Sequence, residues 1–102
     1  MSCPHWRIVR QPEYREDQDA IEAWIARDNP SAAVDRWLLI DQQVDQLADP
    51  IFPRRPSTRV PGAHELVAHE NYIMYFDQRE SDCTVTVRAV VYVAREVPGR
   101  TQ

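Results

Sequence analysis

The clearest alternation of apolar and polar residues lies in residues 84–93, which read TVTVRAVVYV. Its even-numbered positions are mostly polar or amphipathic and include Arg88 and Tyr92, with Val90 as the exception. Because successive side chains of a strand point to opposite faces, we predict one core face and one open face that carries Arg88 and Tyr92. The predicted core face consists of Val85, Val87, Ala89, Val91 and Val93.

Two shorter runs, residues 64–69 and 72–77, are also rich in β-branched and aromatic residues. Asn71 separates them, and the polar stretch 78–83 separates the second from residues 84–93. Short strand-like runs joined by turn-length gaps predict an antiparallel three-strand meander. Near the other end, residues 6–10 (WRIVR) predict one short additional strand.

Between these strands the apolar spacing is helical. In residues 12–28 the apolar residues form a stripe along one side of a helix, with one gap that Asp17 or Gln18 fills. In residues 31–48 successive apolar residues are four, three, four and three positions apart, which forms a regular seam on one side of a second helix. Pro30 separates the two helices, and Asn29 or Ser31 can cap the second. Two helices joined by so few residues must form a hairpin, and we expect Trp24 and Trp37 in its core. The stripe is Tyr14, Ile21, Trp24 and Ile25, and the seam is Ala33, Trp37, Ile40, Val44 and Leu47.

The predicted order of elements is β-α-α-β-β-β. We therefore expect an α+β fold in which a helical hairpin covers one face of an antiparallel sheet. Residues 49–62 contain four prolines and should form a loop. A length of 102 residues suits one domain, residues 1–102.

Charge and composition exclude several classes of protein. The net charge is −4, and residues 11–49 hold ten acids against three arginines. All twelve basic residues are arginine, so no lysine can act as a general base.

No apolar run reaches the roughly 20 residues that span a bilayer, and the N-terminus lacks a signal-peptide pattern. We expect a cytoplasmic protein, in which Cys3 and Cys83 could pair but are expected to be free thiols.

The sequence predicts neither a metal nor a cofactor. His64 and His69 are five residues apart in a predicted strand, which places them on opposite faces, and the cysteines have no C-x-x-C spacing. A glycine-rich phosphate loop is excluded because Gly62 and Gly99 are the only glycines.

Six short motifs follow one another along nearly the whole chain, and together they resemble the RelE/ParE superfamily of toxins from bacterial toxin–antitoxin modules. The resemblance implies the same order of strand, helical hairpin and three-strand meander. The motifs are P-x-Y-x-x-D from Pro12, A-W-I from Ala23, N-P-x-A-A from Asn29, H-E-L-V from His64, Y-I-M-Y from Tyr72 and A-R-E-V-P from Ala94.

Departures from the superfamily pattern favour its ParE-like branch. RelE-type members resemble ribosome-dependent messenger RNA endonucleases, which use lysines and arginines on the sheet and a tyrosine or histidine near the C-terminus. This chain has no lysine, and it lacks the C-terminal extension of that branch. His64 and Ala89 stand where the family often has arginine, and Tyr92 stands where it often has histidine.

The ParE branch resembles inhibitors of DNA gyrase. The resemblance therefore implies a non-enzymatic toxin that binds and inhibits a target such as gyrase and is neutralised by a cognate antitoxin in a hetero-oligomer. A RelE-like ribonuclease and a non-toxic interaction module on the same scaffold are the alternatives.

No catalytic residue is predicted, and the candidate residues are divided between two binding roles. Three arginines in one loop of an acidic protein make a small electrostatic footprint, so direct nucleic-acid binding is not expected. The same arginines would suit an acidic stretch of the antitoxin. The target-binding candidates are Arg59, His64, Arg88, Tyr92 and Arg95. The antitoxin-binding candidates are Trp24, Trp37, Arg54, Arg55 and Tyr75.

Overall fold

A computed structural model describes residues 3–69 and 72–92, with the backbone alone at Ala68 and His69. The predicted α+β fold, a sheet with a helical hairpin on one face, is confirmed. The elements are β1 (Arg7–Arg10), α1 (Pro12–Ala26), α2 (Pro30–Asp45), a 3₁₀ turn (Gln46–Ala48), β2 (Arg55–Pro56), β3 (His64–His69), β4 (Tyr72–Arg79) and β5 (Thr84–Tyr92).

Among the described residues the sheet has five strands in the order β1-β5-β4-β3-β2. The predicted meander is confirmed, because β3 pairs antiparallel with β4 and β4 pairs antiparallel with β5. β1 pairs parallel with β5, which makes the sheet mixed and not purely antiparallel. A parallel pair needs a long crossover connection, and the chain between β1 and β5 supplies it. The predicted loop of residues 49–62 contains the two-residue strand β2.

The helices begin where the sequence indicates. Both start with proline at the first turn, and the side chain of Asn29 accepts a hydrogen bond from the Ala32 amide over 3.1 Å. Gln18 fills the predicted gap in the stripe of α1: it is fully buried and its Nε2 donates to the carbonyl of Trp37 over 3.0 Å. The predicted seam is buried at Ala33, Ile40 and Val44 of α2 and at Leu47 of the 3₁₀ turn, but not at Trp37.

The two helical tryptophans do not form the hairpin core, so this prediction is wrong. The Trp24 side chain is 43% exposed, and Trp37 is half-buried. The indole N–H of Trp37 donates to a carboxylate oxygen of Asp19 over 2.9 Å, which keeps the ring at the surface of the hairpin. The core lies instead between the hairpin and the near face of the sheet, where Tyr14, Met74 and Phe76 are fully buried.

The expectation of free thiols is also wrong, because Cys3 and Cys83 form a disulfide. The parallel pairing of β1 with β5 places the start of β1 beside the β4–β5 turn, and the Arg7 amide donates to the Cys83 carbonyl over 2.8 Å. The two Cα atoms are 5.6 Å apart, within the range that a disulfide spans. The bond closes a loop across a sequence separation of 80 residues.

The predicted alternation along β5 holds only for its first half. Val85 and Val87 are fully buried, but the pairing with β4 then shifts: Phe76 pairs with Val87 and Tyr75 pairs with Ala89. Arg88 is therefore an extra residue in a β-bulge. Beyond it the faces are exchanged, so that Val90 is 3% exposed in the core and Tyr92 packs against the core. Val93 lies outside the described residues.

Candidate binding surfaces

A polar cleft of about 590 Å³ lies beside the bulge at Arg88. β1 ends at Arg10, and α1 then leaves the sheet, so the cleft lies where the start of α1 meets the middle of β5. The Arg88 guanidinium forms an ion pair with Asp77 at 3.2 Å, and both side chains are about half exposed. The cleft is lined by Gln11, Glu13, Asp77, Thr86, Arg88 and Ala89.

The cleft presents both charged and neutral polar groups. Its lining includes one arginine, two carboxylates, an amide and a hydroxyl, but no histidine, cysteine or tyrosine. The Arg88–Asp77 pair can exchange its partners for those of a bound protein, because an exposed ion pair contributes only about 0–1 kcal/mol.

The second surface is an aromatic cluster that joins both helices to the sheet. The ring of Tyr92 stacks on Tyr72 with centroids 4.9 Å apart and meets Trp24 at 5.7 Å. Arg36 lies over the Tyr72 ring at 5.4 Å, and its guanidinium donates to the Tyr72 hydroxyl over 3.4 Å. Burial raises the pKa of Tyr72, while Arg36 opposes that shift.

This cluster corrects the predicted position of Tyr92. Arg88 and Tyr92 do not share an open face, because the bulge turns Tyr92 toward the helices. Trp24 and Tyr92, assigned from the sequence to different partners, are in contact. Tyr72 and Arg36 were not predicted as site residues. Tyr72 belongs to the Y-I-M-Y motif, but no spacing in the sequence indicates that α2 brings an arginine over its ring.

The three loop arginines are not one solvated cluster. Arg54 donates to the carbonyl oxygens of Leu47, Asp49 and Phe52, and its guanidinium lies 5.0 Å from the centre of the Trp6 ring. Burial lowers the pKa of Arg54, although Asp49 opposes the shift. Arg54 therefore acts structurally: it binds carbonyl groups in and after the 3₁₀ turn.

Arg55 is held by the sheet. Its guanidinium forms an ion pair with Glu65 at 2.8 Å, and the Ser57 hydroxyl donates to the other carboxylate oxygen over 3.0 Å. Glu65 is 5% exposed, so these two contacts satisfy a buried carboxylate. Arg59 is exposed on the same loop, and its backbone amide donates to the Ser57 hydroxyl over 3.1 Å.

The remaining candidates within the described residues, His64 and Tyr75, do not line the cleft. His64 stacks on Phe76 with centroids 5.6 Å apart, and its Nδ1 is buried without a hydrogen-bond partner among the described residues. Tyr75 is 8% exposed and lies between Glu65 and Ala89 on the face away from the helices. One strand, β4, separates His64 from β5, a gap of about 10 Å between strands. Arg95 lies outside the described residues.

The described part of the chain contains neither a candidate metal site nor a candidate membrane span. No group of three or more histidine, cysteine, aspartate or glutamate side chains could hold a metal ion there. None of the helices in residues 3–69 and 72–92 is long and apolar enough to cross a membrane.

Comparisons of sequence and of structure gave different results. No family model and no curated protein matches the sequence. Among solved structures, the chain is similar to one from a chromosomal ParDE toxin–antitoxin system of P. aeruginosa, with a TM-score of 0.75 and 18% identity. That alignment covers 86% of this chain and 96% of the other. The protein shares the fold of that chain.

A second similar structure comes from the RelBE2 toxin–antitoxin complex of Mycobacterium tuberculosis. The TM-score is 0.54 with 16% identity, and the alignment covers 86% of this chain and 91% of the other. The fold that the resemblance of the sequence motifs implies, a strand, a helical hairpin and a three-strand meander, is thus confirmed.

Proposed function

We propose that this protein is the toxin of a type II toxin–antitoxin module, which binds and inhibits a target such as DNA gyrase and is neutralised by a cognate antitoxin. The observation that carries the proposal is the RelE/ParE fold, which is the fold of chains from two toxin–antitoxin systems. Both similar structures come from assemblies with an antitoxin, which supports a hetero-oligomer as the resting state. We also propose a cytoplasmic location, and the Cys3–Cys83 disulfide is then a bond of a kind that is rare in that compartment.

The cleft supports inhibition by binding in preference to RNA cleavage. A ribonuclease stabilises a transferring phosphoryl group with cations and moves protons with titratable groups. The cleft presents a single arginine already paired with Asp77, and Glu13 adds a second negative charge. The chain has no lysine that could offset the excess of negative over positive charge in the cleft. A protein surface with an arginine at an open polar cleft is suited to contact another protein.

The experiment compares the two activities directly. Purified protein is added to DNA gyrase with relaxed plasmid and ATP, and in parallel to translating ribosomes with a defined messenger RNA. We expect supercoiling to be inhibited and the messenger RNA to remain intact. Mapped cleavage of ribosome-bound message would establish the RelE-like alternative. Absence of both effects, together with harmless expression in cells, would establish the non-toxic interaction module.

The antitoxin partner is tested separately. The product of each short reading frame that adjoins the gene of this protein is co-expressed with it, and any complex is purified. We expect a stable complex whose melting temperature exceeds that of the protein alone, because a ligand that binds only the folded state stabilises it. A melting temperature that does not move with added partner would contradict this part of the proposal.

A further inference from the structure

Two residues at the start of α1 contact β5 on either side of the bulge at Arg88. The backbone amide of Gln11, just before the first turn, donates to the Val87 carbonyl over 3.0 Å. The Asp17 carboxylate, in the second turn, accepts a hydrogen bond from the Val90 amide over 3.2 Å, across 73 residues of sequence. Asp17 ends the P-x-Y-x-x-D motif, and no part of the proposed function uses it.

The extra residue in β5 explains how both contacts reach the same side of the strand. In a regular strand the backbone groups of successive residues point alternately to the two neighbours. Val87 and Val90 are three positions apart, so in a regular strand their backbone groups would face opposite edges. The bulge at Arg88 turns both toward the edge where β1 ends and α1 begins. The start of α1 therefore fits the bulged form of β5 and not the regular form.

The sequence of β5 also fits a register without the bulge, since residues 89–91 are all apolar. In that register Val90 and Tyr92 would lie on the open face with Arg88, and two small apolar residues would take their places in the core. In the bulged register Val90 is 3% exposed, and Tyr92 stacks on Tyr72. The register thus decides whether a bound protein meets Tyr92 beside Arg88.

The Val90 amide and the Asp17 carboxylate each need the other. β1 pairs with residues 84–87 of β5, so among the described residues no strand lies beside Val90 on that edge. Asp17 is half-buried. Burial raises the pKa of Asp17, the hydrogen bond from Val90 lowers it, and the neighbouring Glu16 and Glu13 raise it. Removal of the carboxylate would leave the amide of a buried residue without its acceptor, which is costly.

We propose that Asp17 is a positioning residue whose carboxylate selects the bulged register of β5, and so places Arg88 at the cleft and Tyr92 in the aromatic cluster. This role rests on the proposed function, because the placement matters to activity only if a target binds at the cleft. Bulges beside binding sites commonly redirect a side chain in this way. Asp17 acts through the backbone of β5 and does not itself contact the target.

The alternative is that the aromatic cluster sets the register without Asp17. Tyr92 stacks on Tyr72 with centroids 4.9 Å apart, and Arg36 lies over the Tyr72 ring at 5.4 Å. Packing alone would then hold Tyr92 against the helices. A substitution at Asp17 that leaves these rings unchanged separates the two explanations.

The experiment compares three variants of the whole chain with wild type. Asp17→Leu has a similar size and no acceptor, whereas Asp17→Asn keeps a carbonyl oxygen that can accept from the Val90 amide. Glu16→Leu makes a similar change at an exposed neighbour and is the matched control. Amide hydrogen exchange is followed by NMR, with the amides of β4 as the internal reference, because global unfolding exposes them as well.

In Asp17→Leu the Val90 amide should exchange about tenfold faster or more relative to the β4 amides, because it has lost its acceptor. The nuclear Overhauser contacts between the Tyr92 and Tyr72 rings should be lost as well. Asp17→Asn and Glu16→Leu should keep the ring contacts and exchange within about twofold of wild type. If Asp17→Leu keeps the Val90 amide protected and the rings in contact, the inference is wrong. Equal acceleration at Val90 and across β4 would show that Asp17 only stabilises the fold, which also overturns the inference.

A measurement on wild type decides the case in which Asp17→Leu does not fold. The chemical shift of the Val90 amide is followed against pH, and it should change as Asp17 is protonated, above the usual carboxylate pKa of about 4. The same change should be absent from Asp17→Asn, in which Glu16 and Glu13 still titrate. A Val90 amide that behaves alike in both proteins would contradict the hydrogen bond and with it the inference.

Growth inhibition separates this inference from the proposed function. Asp17→Leu should raise survival after induced expression about tenfold or more, as loss of an interface arginine from its place would, while Asp17→Asn should stay toxic. If NMR shows the changed register but toxicity is unchanged, Asp17 positions β5 as inferred and the cleft is not the surface that binds the target. If wild type itself is harmless, the toxin function is wrong and the NMR results alone decide the role of Asp17.

Discussion

The phenol of Tyr14 donates a hydrogen bond to Oδ1 of Asp41 over 3.1 Å, and this contact joins α1 to α2. The same oxygen accepts from Nε of Arg10 at 2.9 Å and from the guanidinium of Arg15 at 3.1 Å. Arg10 belongs to β1, so one carboxylate connects the edge strand with both helices. Tyr14 is fully buried, which makes this contact part of the core boundary.

Asp41→Ala should therefore lower the free energy of unfolding by about 2–4 kcal/mol, because it leaves a buried phenol without its acceptor and removes one of the two carboxylates that bind the largely buried guanidinium of Arg10. Asp45→Ala is the matched control. Asp45 also binds Arg10, but its side chain is 67% exposed, and the expected loss is below about 1 kcal/mol. Urea denaturation measures both. If both variants lose the same free energy of unfolding, the Asp41 carboxylate contributes no more to stability than the exposed Asp45 carboxylate does.

Tyr14 also makes stability depend on pH. Burial and the neighbouring Asp41 carboxylate raise the pKa of the Tyr14 phenol above its usual value of about 10. A raised folded-state pKa means that the stabilisation is complete below pH 10 and is lost as pH rises further toward the folded-state pKa. Tyr14→Phe should cost about 1 kcal/mol at pH 8, and this difference should shrink between pH 10 and 11. If the difference in free energy of unfolding between wild type and Tyr14→Phe stays constant across that range, the pKa of Tyr14 is not raised by folding.

Most of the fold is predictable from the sequence because its elements have unambiguous periods. The seam of α2 and the three strands of the meander repeat over enough residues to define their buried sides. The bulge at Arg88 could not be predicted in the same way. Residues 89–91 are all apolar, so both phases of the alternation fit them, and only the pairing with β4 determines which side Tyr92 takes.

The candidate site was harder to predict because it depends on contacts between distant residues. Three arginines in a proline-rich loop suggest a solvated basic patch. Arg54 instead donates to backbone carbonyls whose positions depend on where the chain turns after the 3₁₀ turn, and the sequence does not indicate that turn. The Cys3–Cys83 bond likewise depends on the parallel pairing of the first and last strands, which no local spacing encodes.

The disulfide should contribute measurably to stability. A cross-link that closes a loop of roughly 80 residues restricts the unfolded chain, and such bonds typically contribute about 2–4 kcal/mol. We expect dithiothreitol to lower the free energy of unfolding by that amount. The Cys3→Ser/Cys83→Ser double variant should match the reduced wild type and should not respond to the reductant. If reduction leaves the unfolding midpoint of the wild type unchanged, the bond does not stabilise the fold.

Arg88 should matter for toxicity and not for stability. Its ion pair with Asp77 is exposed, so Arg88→Ala should change the free energy of unfolding by less than about 1 kcal/mol. If the cleft contacts the target, survival after induced expression should rise about tenfold or more, as expected for loss of an interface arginine. Arg79→Ala is the control, since Arg79 forms a comparable exposed pair with Asp82 in the turn. Equal toxicity of Arg88→Ala and wild type would show that Arg88 in the cleft does not contact the target.

Tyr92 requires a different test because its ring supports the fold. Tyr92→Ala removes the stacking on Tyr72 and the contact with Trp24, and should cost about 2–3 kcal/mol. Reduced toxicity in that variant would therefore not distinguish a target contact from a loss of stability.

Tyr92→Phe keeps both ring contacts and should stay within about 0.5 kcal/mol of wild type. We expect it to remain fully toxic, as an inhibitor that acts by binding does not need the hydroxyl for proton transfer. Loss of toxicity in a stably folded Tyr92→Phe protein would assign a chemical role to the hydroxyl and favour the ribonuclease alternative.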